Sequence, residues 1–266
     1  MSVSKKERPA AASPWLGPGK PDPKKSSRLN LFCFPYAGGG ALAFRGWQQF
    51  FPAGVEICPL QLPGREGRLR ETPRTDLPTL VGEIGAAILP FLDRPFAFYG
   101  HSLGALVAFE LARHLRRAHG VEPLHLFASG HRSPSTTDRG PVYSNLPKQE
   151  FVEALRRLNG TVKEVLDHPE LLDLIIPILR ADFALGESYT YEPGPPLACP
   201  ISALGGLEDT DVRYEHLVDW QRETSAACRV RMFPGDHFFL RSAQPLLLQF
   251  ISGEVQELLV KLDARR

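Results

Sequence analysis

The sequence lacks an excess of charge of either sign. Its 266 residues include 31 lysines and arginines against 30 aspartates and glutamates, which leaves a formal net charge of +1. Surfaces that bind nucleic acid or anionic membranes draw on an excess of basic residues. The balance therefore indicates neither partner, and we expect no nucleic acid and no membrane.

Cysteine is also scarce. The four cysteines stand singly and far apart, each inside or beside an apolar run: Cys33, Cys58, Cys199 and Cys228. Zinc sites and disulfide frameworks need closely spaced or numerous cysteines. The pattern is typical of buried thiols, and it predicts a cytoplasmic protein without a metal.

Long apolar runs are missing as well. No stretch approaches the roughly 20 apolar residues of a membrane span. The first 28 residues carry proline, lysine and serine but no apolar segment of the kind found in signal peptides. We predict a disordered tail over residues 1–28. A transit peptide is the alternative, against which Glu7, Asp22 and the repeated prolines weigh.

What the chain does contain is an alternation of short apolar runs with segments of helical period, which is typical of a parallel sheet covered by helices. We predict one α/β domain over residues 29–266 with a mostly parallel sheet. Its strands are expected to be apolar throughout, at residues 29–35, 55–62, 96–99, 124–129, 201–205 and 229–233. Helices are expected at residues 42–51, 77–92, 102–117, 214–224 and 244–262.

A long insertion separates the fourth and fifth predicted strands, at about residues 133–196. It holds two helical patterns, at 148–158 and 170–185, and is interpreted as a lid. The second pattern is apolar on most sides, so it fits a buried helix as well as the wall of a binding site.

The pentapeptide Gly100-His-Ser-Leu-Gly104 follows a predicted strand and precedes a predicted helix. In this context Gly-x-Ser-x-Gly indicates a nucleophile elbow, a strained turn that exposes the serine beside a helix N-terminus. Ser102 is therefore the candidate nucleophile. The alternative is a turn of small residues that merely closes the strand onto the helix.

A serine nucleophile needs a histidine base, which follows both the serine and the acid along the chain in this fold. His237 meets that order and follows the last predicted strand, where active sites of α/β proteins gather. His101, inside the elbow, is expected to pack. Five other histidines lack this placement: His114, His119, His125, His131 and His168.

The acid that orients the base is expected just after the fifth strand. Asp209 occupies that loop and is our candidate. Asp211 remains an alternative, although it is also suited to capping the next helix, and Glu208 fits a solvated role. Asp236 adjoins His237 and is therefore badly placed to bond its ring.

A tetrahedral intermediate needs two N–H donors. One is the N–H after the nucleophile, here that of Leu103, and the other comes from an early loop. Glycines 38–40 follow the first strand, and we choose the N–H of Ala37 beside them. A flexible glycine turn is the competing interpretation. The glycines are not followed by the Lys-Ser or Lys-Thr of a phosphate loop, and we predict no cofactor.

Five motifs together resemble one family, the type II thioesterases: Cys33-Phe-Pro-Tyr-Ala-Gly-Gly, Gln61-Leu-Pro-Gly-Arg-Glu, Gly100-His-Ser-Leu-Gly-Ala, Gly205-Gly-x-x-Asp and Gly235-x-His-Phe-Phe. The resemblance extends from about residue 29 onward. It implies the α/β-hydrolase fold and the same roles for the residues above. It also implies a substrate in which an acyl, aminoacyl or peptidyl group is held as a thioester on the phosphopantetheine arm of a carrier protein.

Two positions depart from the family pattern, and one motif of the family has no evident role in the mechanism. Tyr36 stands where bacterial members often have histidine, and Asp236 where glycine is usual. The Gln61–Glu66 motif is diagnostic, yet neither Arg65 nor Glu66 has a mechanistic role, and a structural ion pair is the simple interpretation.

Two rival functions remain open on sequence alone. A carboxylester hydrolase or acyltransferase uses the same triad on another acyl group, because fold and triad do not determine the substrate. A carrier-binding module with an idle triad is the rival outside the enzymes. We expect a monomer, which suits a mobile lid and a docking carrier.

Overall fold

Six parallel strands form one sheet in the order β2-β1-β3-β4-β5-β6. The computed structural model describes residues 13–17, 27–136, 140–160 and 163–264. The strands are β1 (Leu29–Phe34), β2 (Val55–Pro59), β3 (Phe96–His101), β4 (Leu126–Ser129), β5 (Ile201–Gly206) and β6 (Cys228–Phe233). All six predicted strands are confirmed.

The strands β1 to β5 are buried along their whole length, as their apolar runs predict. The prediction was wrong for β6, in which Arg229 and Arg231 are exposed and alternate with partly buried residues. The strand lies at the edge of the sheet, where it has a neighbour on one side only.

Eight helices are present among the described residues. They are α1 (Leu77–Ile88), α2 (Leu103–His119), α3 (Lys148–Leu158), α4 (Lys163–Leu166), α5 (Pro169–Glu187), α6 (Tyr214–Val218), α7 (Phe239–Ser242) and α8 (Gln244–Asp263). The helix predicted at 42–51 is instead two short 3-10 turns, Ala41–Phe44 and Trp47–Phe50. Gly46, between them, has φ of 81°, a left-handed conformation that ends a right-handed helix.

The core consists of two apolar layers, one on each face of the sheet. Because side chains alternate along a strand, Phe32 and Phe98 face α1 and α2, whereas Leu31 and Tyr99 face α8. Both layers are built mainly from buried residues. The sheet is therefore fixed from both sides, which holds the loops at the carboxyl ends of its strands.

The insertion between β4 and β5 carries α3, α4 and α5, which share a smaller apolar cluster. Leu172, Ile176 and Leu179 of α5 pack into that cluster. Leu171 and Leu174, on the same helix, are 42% and 58% exposed, so the outer face of α5 is not buried although its sequence is apolar there.

Part of the predicted tail contacts the sheet. Leu16 forms an antiparallel bridge with Leu60, and the Gln61 N–H donates to the carbonyl of Trp15 at 2.8 Å. The Arg68 guanidinium lies over the Trp15 ring, 4.0 Å from its centre. Residues 13–17 thus depart from the predicted disorder because two apolar side chains become buried there. Residues 1–12 and 18–26 lie outside the described part of the chain.

Neither a membrane helix nor a metal cluster is found within the described ranges. No helix there has the length and apolar character needed to cross a bilayer. The same residues contain no group of three or more histidines, cysteines or acids able to hold a metal ion. All four cysteines are free thiols.

Candidate active site

The turn at Ser102 has the geometry of a nucleophile elbow. Ser102 joins β3 to α2 with φ of 54° and ψ of −123°, a strained conformation for a residue with a side chain. A Cβ on Gly100 would come within 2.2 Å of the Gly104 carbonyl oxygen, and a Cβ on Gly104 within 2.2 Å of the Phe34 carbonyl oxygen. The glycines are therefore required by the close backbone approach.

The structure brings Ser102, His237 and Asp209 together from three loops at the carboxyl ends of β3, β5 and β6. His237 Nε2 lies 3.0 Å from Ser102 Oγ, and His237 Nδ1 lies 2.7 Å from Asp209 Oδ2. Because a carboxylate only accepts hydrogen bonds, Nδ1 carries the proton. The lone pair of Nε2 then faces the serine hydroxyl, which is the arrangement that a general base needs.

Asp209 is held by both of its oxygens. Oδ2 faces His237, while Oδ1 accepts the N–H groups of Asp211 and Val212, each at 2.9 Å. Burial alone would raise the pKa of Asp209, but the bonds from His237 and the two amides outweigh it and lower the pKa. Asp209 therefore stays ionised. The side chain of Asp211 does not cap α6, whose N-cap residue is Arg213.

His101 does more than pack. Its Nε2 lies 3.0 Å from the His237 carbonyl oxygen, so that nitrogen donates, and its Nδ1 accepts from Ser129 Oγ at 2.9 Å. Tyr99 donates in turn to Ser129 Oγ at 3.2 Å. This buried chain of three hydrogen bonds ties the backbone of His237 to the centre of the sheet. Sequence reasoning missed it because no local pattern relates His101 to residue 237.

Ser102 opens into a cavity of about 580 Å³. Ala37 and Leu103, the two candidate oxyanion donors, line it beside the serine and His237. As the first residue of α2, Leu103 has an N–H without an intrahelical acceptor. The lid supplies much of the remaining wall, with residues of α3 and α5: Leu155, Leu158, Leu179, Asp182, Phe183, Gly186 and Glu187. The helix predicted at 170–185 thus both packs in an apolar cluster and lines the cavity.

The family assignment rests on a match over most of the chain. Residues 29–255 match the family described as Thioesterase domain. The chain belongs to the thioesterase family.

This thioesterase is similar to proteins from several bacteria. The linear gramicidin dehydrogenase LgrE of Brevibacillus parabrevis is 45% identical over 251 residues, which cover 93% of this chain and 95% of the relative. Among solved structures, the thioesterase RedJ from the prodiginine biosynthetic pathway in Streptomyces coelicolor is 37% identical. It superposes with a TM-score of 0.81 over 93% of this chain and 91% of that chain.

The resemblance to type II thioesterases is confirmed by a second solved structure. The type II thioesterase BorB from the borrelidin biosynthetic cluster is 31% identical and has a TM-score of 0.82. The match covers 92% of this chain and 99% of BorB. The predicted α/β-hydrolase fold is confirmed, and this thioesterase is a thioester hydrolase.

Proposed function

We propose that this thioesterase uses Ser102 as nucleophile, His237 as general base and Asp209 as the group that orients the base. The observation that carries the proposal is the pair of hydrogen bonds that links them, 3.0 Å from His237 to the serine and 2.7 Å from His237 to the aspartate. We assign the oxyanion hole to the N–H groups of Ala37 and Leu103.

The first half-reaction forms an ester on the enzyme. Ser102 Oγ attacks the thioester carbonyl carbon while its proton passes to His237 Nε2. The carbonyl oxygen becomes an oxyanion and accepts hydrogen bonds from the two amides. The carbon–sulfur bond then breaks, and the leaving sulfur takes the proton from His237. The products are the free thiol and an acyl ester of Ser102.

The second half-reaction uses water as the nucleophile. His237 removes a proton from the water as its oxygen attacks the ester carbonyl, and the same two amides bind the second oxyanion. When this intermediate breaks down, the proton on His237 returns to Ser102 Oγ and the carboxylate product leaves. The enzyme is regenerated without a cofactor.

We infer that the substrate is an acyl, aminoacyl or peptidyl thioester on the phosphopantetheine arm of a carrier protein. Type II thioesterases of polyketide and nonribosomal peptide pathways act on intermediates of this kind, and RedJ and BorB are named for such biosynthetic pathways. The cavity beside Ser102 is large enough for an acyl group and is lined by both apolar and polar residues. We assign the enzyme to editing or release in such a synthesis.

We further propose a cytoplasmic monomer. The four free thiols are in keeping with a reducing compartment. A single chain supplies Ser102, His237 and Asp209 as well as the lid, so the site needs no second copy.

The name of LgrE suggests a dehydrogenase, which would bind a dinucleotide at its glycine loop. In this chain the structure of the glycine loop disfavours such binding. Gly38, Gly40 and Ala43 have the spacing of a dinucleotide fingerprint, which places a pyrophosphate at the N-terminus of a helix. Here the loop leads into a four-residue 3-10 turn. The Glu66 carboxylate accepts the Leu42 N–H at 3.1 Å, and its negative charge opposes a phosphate there.

The substrate class is tested with a panel of acyl-CoA and acyl-carrier thioesters, from acetyl to dodecanoyl, and with oxyesters of the same acyl groups. We expect the enzyme to release thiol from members of the thioester panel and to favour them over the matched oxyesters in kcat/KM. Turnover of oxyesters alone would identify a carboxylester hydrolase. Carrier binding without any hydrolysis would identify a binding module.

The pH dependence of the reaction is expected to carry no contribution from the two other histidines beside the site, His101 and His131. Burial lowers the pKa of His131 to about 4 and, together with the neighbouring His237, lowers that of His101 well below its ordinary value. Both rings therefore remain neutral in mildly acidic solution, where Asp209, whose pKa is lowered, remains ionised. Neither His101 nor His131 should therefore add a proton to the acid limb of the pH profile. The acid limb of log(kcat/KM) should be no steeper than a slope of one; a slope of two would show that one of these two rings also titrates.

A further inference from the structure

The motif Gln61–Glu66 contacts the glycine loop that follows β1. Gln61 Oε1 accepts the N–H of Ala41 at 3.1 Å, and Gln61 Nε2 donates to the carbonyl of Arg65 at 2.9 Å. Glu66 Oε1 accepts the N–H of Leu42. The motif therefore holds the end of the loop at Ala41 and Leu42, a few residues after Ala37.

Arg65 extends this support into the loop and across to the lid. Its Nη1 donates to the Gly39 carbonyl at 3.2 Å. The guanidinium also forms a bidentate ion pair with Asp182 of α5, with distances of 2.5 and 2.8 Å. The side chains of Arg65 and Asp182 are only 5% and 1% exposed, so water does not compete for these bonds. The ion pair expected near Arg65 thus joins two segments of the chain and does not involve Glu66.

Asp182 contacts the same loop directly. Its Oδ2 accepts the N–H of Gly38 at 2.7 Å in addition to the bond from Arg65. Leu179, one helical turn earlier on α5, packs so closely that a Cβ on Gly38 would lie 2.6 Å from it. The loop is thus held by a carboxylate and an apolar contact from the lid, and by the guanidinium of Arg65 that pairs with this carboxylate.

These bonds determine how the Ala37 N–H is oriented. That N–H belongs to the same planar peptide as the Tyr36 carbonyl, which accepts the N–H of Gly39 at 2.9 Å. The peptide between Ala37 and Gly38 is held by Asp182, which accepts the Gly38 N–H. The peptide between Gly39 and Gly40 is held by Arg65, which donates to the Gly39 carbonyl. Glycines otherwise allow many loop conformations, so these external bonds are what restricts them.

We propose that Arg65 and Asp182 are positioning residues that hold the loop at residues 36–40 in the conformation that presents the Ala37 N–H to the oxyanion. Because Asp182 belongs to α5, the oxyanion hole is complete only when the lid helix is seated. This inference rests on the proposed role of Ala37. It gives the Gln61–Glu66 motif a function in catalysis, exerted through the loop and without contact to the substrate.

The main test replaces the pair by apolar residues of similar size, in the double variant Arg65→Met/Asp182→Leu. Exchange of a buried ion pair for apolar residues often preserves stability, whereas removal of one partner leaves a buried charge. The variant is therefore expected to fold, with a melting temperature near that of wild type, but to lack every side-chain bond to Gly38 and Gly39. A purely structural role of the pair would leave such a folded variant fully active.

The readout separates oxyanion stabilisation from substrate binding. Loss of a whole oxyanion donor typically costs about 100- to 1,000-fold in kcat. For a misplaced donor we expect kcat to fall about 10- to 100-fold with KM nearly unchanged. The inhibition constant of a medium-chain alkyl trifluoromethyl ketone, which Ser102 converts to a tetrahedral oxyanion, should rise in parallel. The corresponding secondary alcohol fills the cavity without forming an oxyanion, so its inhibition constant should stay unchanged.

Two single variants complete the test. Asp182→Asn keeps an acceptor oxygen but loses the bidentate pair, so kcat and ketone binding are expected to fall at least about threefold, less than in the double variant. Asp173→Asn, on the exposed face of the same helix, is the matched control and should behave as wild type. Unchanged kcat and ketone binding in both folded Asp182 variants would overturn the proposal. Full activity of Ser102→Ala would instead refute the proposed function.

Discussion

Ser102→Ala is expected to lower kcat for thioester hydrolysis by about 10⁴-fold or more, to the level left by binding and the oxyanion donors alone. The reason is geometric, since Ser102 Oγ is the atom that His237 Nε2 faces at 3.0 Å. The fold should persist because alanine adopts the strained φ of 54° as readily as serine does. Steady-state hydrolysis and thermal melting check the two expectations.

The same variant also separates a covalent mechanism from direct attack by water. Wild type mixed rapidly with substrate should gain the mass of one acyl group, and Ser102→Ala should gain none. Ser252→Ala, in the middle of α8 and remote from the cavity, is the matched control and should retain wild-type activity and acylation. A Ser102→Ala protein that still hydrolyses thioesters at a comparable rate would exclude the proposed nucleophile.

The sheet and the grouping of the three catalytic candidates were predictable because they follow from local signals and a general rule. The strands β1 to β5 are short apolar runs, β6 alternates apolar and charged residues, and Ser102, Asp209 and His237 each follow a strand closely. In a parallel sheet the carboxyl ends of all strands lie at one edge, so residues far apart in sequence meet there. Periodicity and chain order were therefore sufficient.

The contacts made by the lid were not predictable in this way. Arg65 and Asp182 are separated by 117 positions, and their pairing depends on how the insertion folds back over the sheet. A signal was nevertheless present, since Asp182 lies in line with buried apolar residues such as Leu179 and Leu185 of α5. A charged residue on a buried stripe requires a partner. The sequence does not say which of the many arginines provides it.

The remaining differences between the predicted and the observed structure have local causes. The two turns in place of the helix at 42–51 follow from the left-handed backbone of one glycine, which propensity alone does not locate. The burial of Trp15 and Leu16 depends on contacts with Arg68 and Leu60 that exist only after folding. In each case a tertiary contact or a single dihedral angle overrides the local pattern.

Asp209→Asn is expected to lower kcat by about 10⁴-fold while the protein remains folded, which is the effect of a histidine held in the wrong tautomer. The N–H groups of Asp211 and Val212 both donate to Oδ1 and require an oxygen there. They therefore turn the amide nitrogen of the asparagine toward His237, whose Nδ1 must then accept. The proton moves to Nε2, and the ring loses the lone pair that deprotonates Ser102.

The paired variant Asp211→Asn decides between the two candidate acids. Its backbone N–H still donates to Asp209, and its side chain forms no bond to His237, so kcat should change by no more than about threefold. Measuring kcat for both variants at the pH of maximal wild-type activity gives a direct comparison. If Asp211→Asn proved the more damaging substitution, the hydrogen bond of 2.7 Å between His237 and Asp209 would not be the interaction that orients the base. A loss of about 10⁴-fold confined to Asp209→Asn would mean that the carboxylate at residue 209 acts by holding the proton on Nδ1.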